Sequence, residues 1–155
     1  MSGKIENKLM ELGIKLPDAP NPVANYQPYV MSGNLIFLSG QVTIWNGEMK
    51  YKGKIGRELT VAQGYEAARM CGLNLIAQVR SACNGDLDRV KRVVKLGAFV
   101  NCVEDFKEHP NVVNGASDLM AEVFGDSGRC TRTNAGVPSL PLGFAVEIDG
   151  VFEIE

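Results

Sequence analysis

Histidine occurs once in 155 residues, at His109, and tryptophan once, at Trp45. A single histidine excludes a His-rich metal site, and any Cys–His or Ser–His pair would have to use His109. The four cysteines (Cys71, Cys83, Cys102, Cys130) form no CxxC pair. A chain of this length has no need of disulfide staples, so reduced thiols and a cytoplasmic location are expected, with no metal. No run of five Lys or Arg occurs, and 16 basic residues face 18 acidic ones for a net charge of −2, which leaves no footprint for nucleic acid. Apolar runs are strand-sized, so no membrane span is expected. The N-terminus is charged and has no apolar signal-peptide core.

What is present reads as one domain over residues 1–155. Residues 1–23 form an appendage: an amphipathic helix over 3–13, with Ile5, Leu9 and Leu12 on one face, then a linker rich in proline (Pro17, Pro20, Pro22, and Pro28 just beyond). The run Asn34–Val42 reads as a buried strand, Trp45-Asn46-Gly47-Glu48 as a turn, and 49–55 as a returning edge strand. Thr60 and Gln63 have capping-box spacing and open a helix that runs to Ala82, where Asn84-Gly85 stops it. Its narrow inner face is expected to carry Tyr65, Ala68, Gly72, Leu75 and Val79.

Residues 90–103 are rich in β-branched residues, and Val94, Leu96, Ala98, Val100 and Cys102 alternate onto one face of a long strand. A second helix is expected over 112–124, followed by strands over 132–137 and 144–154. The order ββαβαββ predicts an α+β fold with two helices on one face of a mixed or antiparallel sheet. Both faces of the strands are apolar, as in Phe37 beside Leu38 and Phe99 beside Val100, so the face without helices is expected to bury against further copies of the chain.

Little in the chain carries obvious chemistry. Cys71 and Cys102 read as small buried hydrophobes. Cys130 lies beside Arg129 and Arg132, which would depress its pKa, yet no base is near it in sequence. His109 lies in a polar loop, Glu104 to Pro110, and reads as exposed and idle. Asp149, just before Gly150, reads from its neighbours as a helper of the turn there. Arg132 opens a strand with Leu140-Pro141 eight residues on; packing does not require it, and the bland reading is a surface arginine.

The Arg132-x₇-Leu140-Pro141 segment, continued by Val146-Glu147-Ile148-Asp149, resembles the C-terminal signature of the Rid family (reactive intermediate deaminases, also called YjgF or L-PSP). Gly33-Asn34-Leu35-Ile36-Phe37-Leu38-Ser39-Gly40-Gln41 is similar to that family's Gly-Asn-x-apolar-Ser-Gly-Gln strand. Tyr26 stands where the family has an N-terminal tyrosine, and Val113-Asn114 resembles its helix-opening asparagine. The likeness spans residues 24–154 and points to a longer-chain subgroup.

It implies a chorismate-mutase-like fold, a homotrimer with sheets facing inward, and ligand clefts between subunits. It also implies hydrolysis of 2-imino or 2-enamino acids to 2-keto acids and ammonia without a cofactor. By resemblance, Arg132 would hold the substrate carboxylate, and Ser39, Gly40, Thr133 and Asn134 would meet the imine end. Tyr26 would close the pocket, Asn114 would orient the ligand, and Asp149 would position the attacking water. Asn134 stands where many members have cysteine, and Asp149 where the resemblance places a glutamate. A small-carboxylate binder without turnover is the alternative, and an endoribonuclease a further one that the low charge disfavours.

Overall fold

The computed structural model describes residues 3–155. Helix α1 (Lys4–Glu11) buries Leu9 against the main core. Its first turn lacks a cap of its own, and Asp88 supplies one from 83 and 84 residues away: its carboxylate accepts the backbone N–H of Lys4 and of Ile5, each at 2.8 Å. These two bonds hold the Asp88 carboxyl below its ordinary pKa. A lowered folded-state pKa means that this stabilisation is present above the unfolded pKa and lost as pH falls through the folded one. Asp88→Ala is expected to cost about 1 kcal/mol, the ordinary value of a lost cap. Amide exchange should accelerate at residues 4–11 while the sheet stays protected.

The main sheet contains β1 (Tyr29–Ser32), β2 (Leu35–Gln41), β5 (Val90–Asn101), β6 (Thr131–Val137) and β7 (Val146–Ile154), in the order β1-β2-β7-β5-β6. Only β5 and β6 pair in parallel, with α3 (His109–Phe124) as their crossover, so the sheet is mixed. The order ββαβαββ holds with a different first pair of strands. β2 forms its hairpin with β1 through Gly33-Asn34, Gly33 taking φ 61°. The Asn46-Gly47 turn does form, with φ 48° and 85°, but it joins only β3 (Ile44–Trp45) to β4 (Glu48–Met49) in a separate ribbon. The edge strand expected over 49–55 stops at Met49, and Ile55 is pinned instead by backbone bonds to Asn101 and Val103.

Helix α2 (Val61–Ala82) opens on Thr60 and Gln63 with both bonds of the capping box made. Its buried face is wider than the narrow stripe expected, because Asn74 and Gln78 also turn inward. Asn74 donates to the carbonyls of Val42 and Ile44 at 2.8 and 2.9 Å, and Gln78 to Pro20 at 2.6 Å, so α2 anchors two loops by side-chain amides. Helices α2 and α3 cover one sheet face, meeting Ile36, Leu38, Leu96, Ala98, Val100, Ile148 and Phe152. A slip in register between Val93 and Lys95 turns Val93 into the core, where alternation alone would place Val94.

Helix α3 starts at His109, three residues earlier than expected, with Pro110 in its first turn. His109 is therefore half-buried, and the expectation of an exposed, idle histidine is corrected. No helix among the described residues is long and apolar enough to cross a membrane. All four cysteines are free thiols.

The other sheet face has no helix. Val30, Phe37 and Phe99 stand on it 53, 42 and 39 % exposed. Strand register aligns Val30, Phe37, Val151, Lys95 and Thr131 in one row across it, and Glu147, Phe99 and Ala135 in another. Isolated apolar side chains are common on surfaces, but a registered array across a sheet face leaves an unburied core layer.

Candidate functional site

The residues expected to carry chemistry fall into two groups at different places in the fold. The first is built by a β-bulge. Leu38 lies opposite Gly150 and Gln41 opposite Ile148, so Ser39 and Gly40 together occupy one register position. The extra residue aims this backbone into a cavity of about 440 Å³ whose wall includes Tyr26, Ser39, Gly40, Leu142 and Glu147. The segment bearing Tyr26 is tied to the bulge: the Ser39 N–H donates to the Pro28 carbonyl at 3.0 Å, and Oγ donates to the Gln27 carbonyl at 2.6 Å. A Cβ at Gly40 would come within 2.9 Å of the Glu147 carboxyl carbon, so the glycine leaves room for that side chain where it stands. Burial and then the charge of Asp149 push the Glu147 carboxyl above its ordinary pKa.

Glu147 is the cavity-lining carboxylate, which sequence reasoning passed over in favour of Asp149. The signal was the strand period: two residues apart, both side chains share the open face, and only the tertiary contacts distinguish them. Asp149 does not line the cavity. It leans over Gly97, where a Cβ would meet its Oδ1 at 2.6 Å. Its carboxyl is also raised by burial, opposed by Lys95 and by the Gly97 backbone.

The second group is at the sheet edge. Arg132, near the start of β6, turns toward α3 and donates from Nη1 to Asn114 Oδ1 and to Ser117 Oγ, both at 2.9 Å. Both acceptors are neutral, and no carboxylate among the described residues lies within ion-pair distance of Arg132. Other arginines of the chain do pair, Arg69 with Glu122 at 3.2 Å and Arg57 with Glu58 at 3.0 Å. A guanidinium held on one edge by neutral oxygens keeps its charge and its remaining donors for an outside carboxylate. Ser117 was not expected from the sequence; its place one turn after Asn114 on α3 was the available sign.

Of the remaining expected residues, Asn134 is half-buried on the Arg132 side of β6. Thr133 faces the open side, in register with Gly97 and through it with Asp149. The expected site residues thus do not converge within one chain. β2 and β6 are separated by β7 and β5, three strand spacings or about 14 Å. The Cys130 thiol is pushed up by burial, and the nearby Arg132 and Arg92 do not reverse this, so an activated Cys130 is not found.

The family model described as "YjgF/chorismate_mutase-like, putative endoribonuclease" matches residues 6–149. The chain is 47 % identical over 154 residues to Protein TCP17 of Trypanosoma cruzi, covering 99 % of this chain and 96 % of the relative. It is 28 % identical over 142 residues to the 2-iminobutanoate/2-iminopropanoate deaminase of Dermatophagoides farinae, covering 92 % and 95 %. A crystal structure of a protein of unknown function from Agrobacterium tumefaciens superposes with a TM-score of 0.91 at 46 % identity, over 97 % of this chain and 92 % of that one.

Proposed function

Because the chain belongs to the YjgF/chorismate-mutase-like family, we propose that it is an enamine/imine deaminase, hydrolysing 2-imino acids to 2-keto acids and ammonia at clefts between subunits of a homotrimer. The observation that carries this reading is the unpaired, pre-oriented guanidinium of Arg132. The deaminase among the relatives supports the reaction class.

The substrate carboxylate docks on the free edge of Arg132 by charge-assisted hydrogen bonds. Imines hydrolyse readily, so the protein needs to supply orientation, a placed water and stabilisation of the tetrahedral intermediate. Glu147 takes the role that the resemblance gave to Asp149. Its ionised carboxylate accepts a proton from water as the oxygen bonds to C2 of the protonated imine. It then returns that proton to the amino nitrogen and, as the C–N bond breaks, takes up the hydroxyl proton, so that ammonia leaves and the 2-keto acid forms; passing this last proton to the ammonia gives ammonium and restores the carboxylate. Ser39 and Gly40 shape the wall against which the reacting carbon lies, and Tyr26 covers it.

Glu147 on β7 and Arg132 on β6 are two strand spacings apart, about 10 Å, and face opposite sides of the sheet, so one substrate is held by Arg132, Asn114, Asn134 and the edge-strand backbone at Thr133 of one copy and by the bulge cavity of the next. Burial of the Phe37 and Phe99 face at the centre of the assembly supplies the driving force.

The test is ammonia release from 2-iminobutanoate generated in situ, with wild type and with Arg132→Ala. Catalysis that depends on Arg132 supports the proposal. Wild-type release at the uncatalysed rate, with Arg132-dependent thermal stabilisation by 2-ketobutanoate, would replace it by the reading of a small-carboxylate binder. RNA cleavage is disfavoured by a net charge of −2.

A pH prediction follows from the carboxyl pair. With Glu147 raised partly by the charge of Asp149, Asp149→Asn removes that repulsion and lets Glu147 ionise at lower pH. The acid limb of the kcat/KM profile is expected to move to lower pH, and an unmoved limb would show that Glu147 does not titrate in the rate-limiting step.

A further inference from the structure

A second cavity, of about 700 Å³, opens at the carboxyl ends of the parallel pair β5 and β6, where α3 begins. At its base Cys102 Sγ lies 3.6 Å from His109 Nε2. The Phe106 ring stands edge-on to the imidazole, with centroids 5.1 Å apart, and holds its orientation. Gly136 makes the approach feasible: a Cβ there would lie 2.5 Å from Nε2 and 2.8 Å from Sγ.

Lys54, Arg57 and one carboxylate, Glu104, line this mouth. Arg57 is paired with Glu58 at 3.0 Å, which leaves Lys54 as the cation available to an anion. Lys54 Nζ is fixed by Asn101 Oδ1 at 2.8 Å and by the Pro138 carbonyl. His109 opens α3 at this mouth, so the positive end of the helix dipole lies here, with Glu108 as its N-cap residue. Burial raises the Cys102 thiol above its ordinary pKa, with Lys54 opposing.

We propose that Cys102 and His109 form a nucleophilic dyad that captures small electrophilic carboxylates, such as α,β-unsaturated acids, at a site separate from Arg132. With the ring proton on Nδ1, His109 Nε2 takes the thiol proton as sulfur bonds to the β-carbon of the acid. The π-electron pair moves to the α-carbon and is protonated there by the imidazolium. The product is a thioether, and no oxidant, reductant or leaving group is required. Lys54 and the helix terminus hold the carboxylate.

Timed alkylation of the full-length protein at pH 7, with iodoacetate and iodoacetamide in parallel and each cysteine followed by peptide mass spectrometry, tests this. Here sulfur displaces iodide and the thiol proton again goes to His109. Cys102 is expected to react faster than Cys71, Cys83 and Cys130. The iodoacetate-to-iodoacetamide rate ratio at Cys102 should exceed, by about 5-fold, that of the same residue in the urea-unfolded chain. His109→Gln should slow Cys102 labelling by about 10²-fold, the low end for loss of a general base. Lys54→Gln should erase the preference for the anion, and circular dichroism confirms that each variant is folded. Arg132→Ala should change none of these rates, which separates this site from the proposed deaminase. Cys102 labelling no faster than that of the other thiols, an unchanged rate in His109→Gln, or a ratio equal to that of the unfolded chain would each overturn the proposal.

Discussion

Arg132→Ala is expected to lower kcat/KM for 2-imino acid hydrolysis by about 10²–10³-fold, read from initial rates of ammonia release. The size follows from what the guanidinium has to offer. Its Nη1 is committed to Asn114 and Ser117, and the opposite edge remains for a carboxylate. Two charge-assisted hydrogen bonds, worth about 1.5–3 kcal/mol each before the shared cost of ordering, give a loss of about 3–4 kcal/mol. Arg132→Lys keeps the charge and loses the planar fork, so it should recover only a small part of the rate. Asn114→Ala and Ser117→Ala leave the guanidinium present but less well aimed. Each should cost about 10-fold, while the double variant falls short of the sum because either acceptor alone retains part of the orientation. Equal rates for wild type and Arg132→Ala, both above the uncatalysed rate, would remove Arg132 from the reaction.

Gly115→Ala is expected to destabilise the fold by about 3 kcal/mol or more, although it adds only one methyl group and improves helix propensity. At this point α2 and α3 run almost backbone to backbone: a Cβ on Gly115 would collide with the Tyr65 carbonyl oxygen and come within 3.0 Å of the Arg69 nitrogen. Backbone atoms in a helix cannot yield as a side-chain tip can, so the helices must separate, and Ala116 and Leu119 lose their fit with Gly72. For a domain of this size the loss corresponds to a fall in Tm of about 6–12 °C, measurable by calorimetry. A fall under 2 °C would show that the helix pair tolerates a wider spacing. Gly13→Ala is the useful contrast: there no atom lies within 4 Å of the added Cβ, and its φ of 67° limits the cost to local strain.

These two positions differ in how much the sequence discloses. The spacing from Arg132 to Leu140-Pro141 marks the arginine as a residue to examine, and the helix around Asn114 is legible from its apolar period. Gly115 offers no such mark, because the clash lies with a helix about fifty residues earlier. The same distinction runs through the strands. Alternation places Leu96, Ala98 and Val100 on one face correctly, then errs at Val93 and Val94 because a register slip depends on the neighbouring strand. Two turns, Gly33-Asn34 and Asn46-Gly47, are both competent to close hairpins. Which of them brings its strands into the main sheet is settled by long-range pairing of β2 with β7.

Taken alone, the amino-acid sequence determined the element types, the two-helix α+β layering, the capping box at Thr60, the unpartnered sheet face and the family. The first four rest on local propensity and short-period patterning, which need no knowledge of distant neighbours; the family rests on the resemblance of the motifs around Tyr26, Gly33–Gln41, Asn114 and Arg132. Tertiary structure decided that Glu147 and not Asp149 lines the bulge cavity, that Arg132 is held by Asn114 and Ser117, and that His109 meets Cys102. The physical reason is common to all three. Two residues on one strand face are equivalent by period, and only the three-dimensional packing of β2, β6 and α3 determines which side chain points into a cavity and which lies over a glycine. The single histidine, which sequence alone would leave in a solvated loop, gains its chemistry only because β5 and β6 end beside the start of α3.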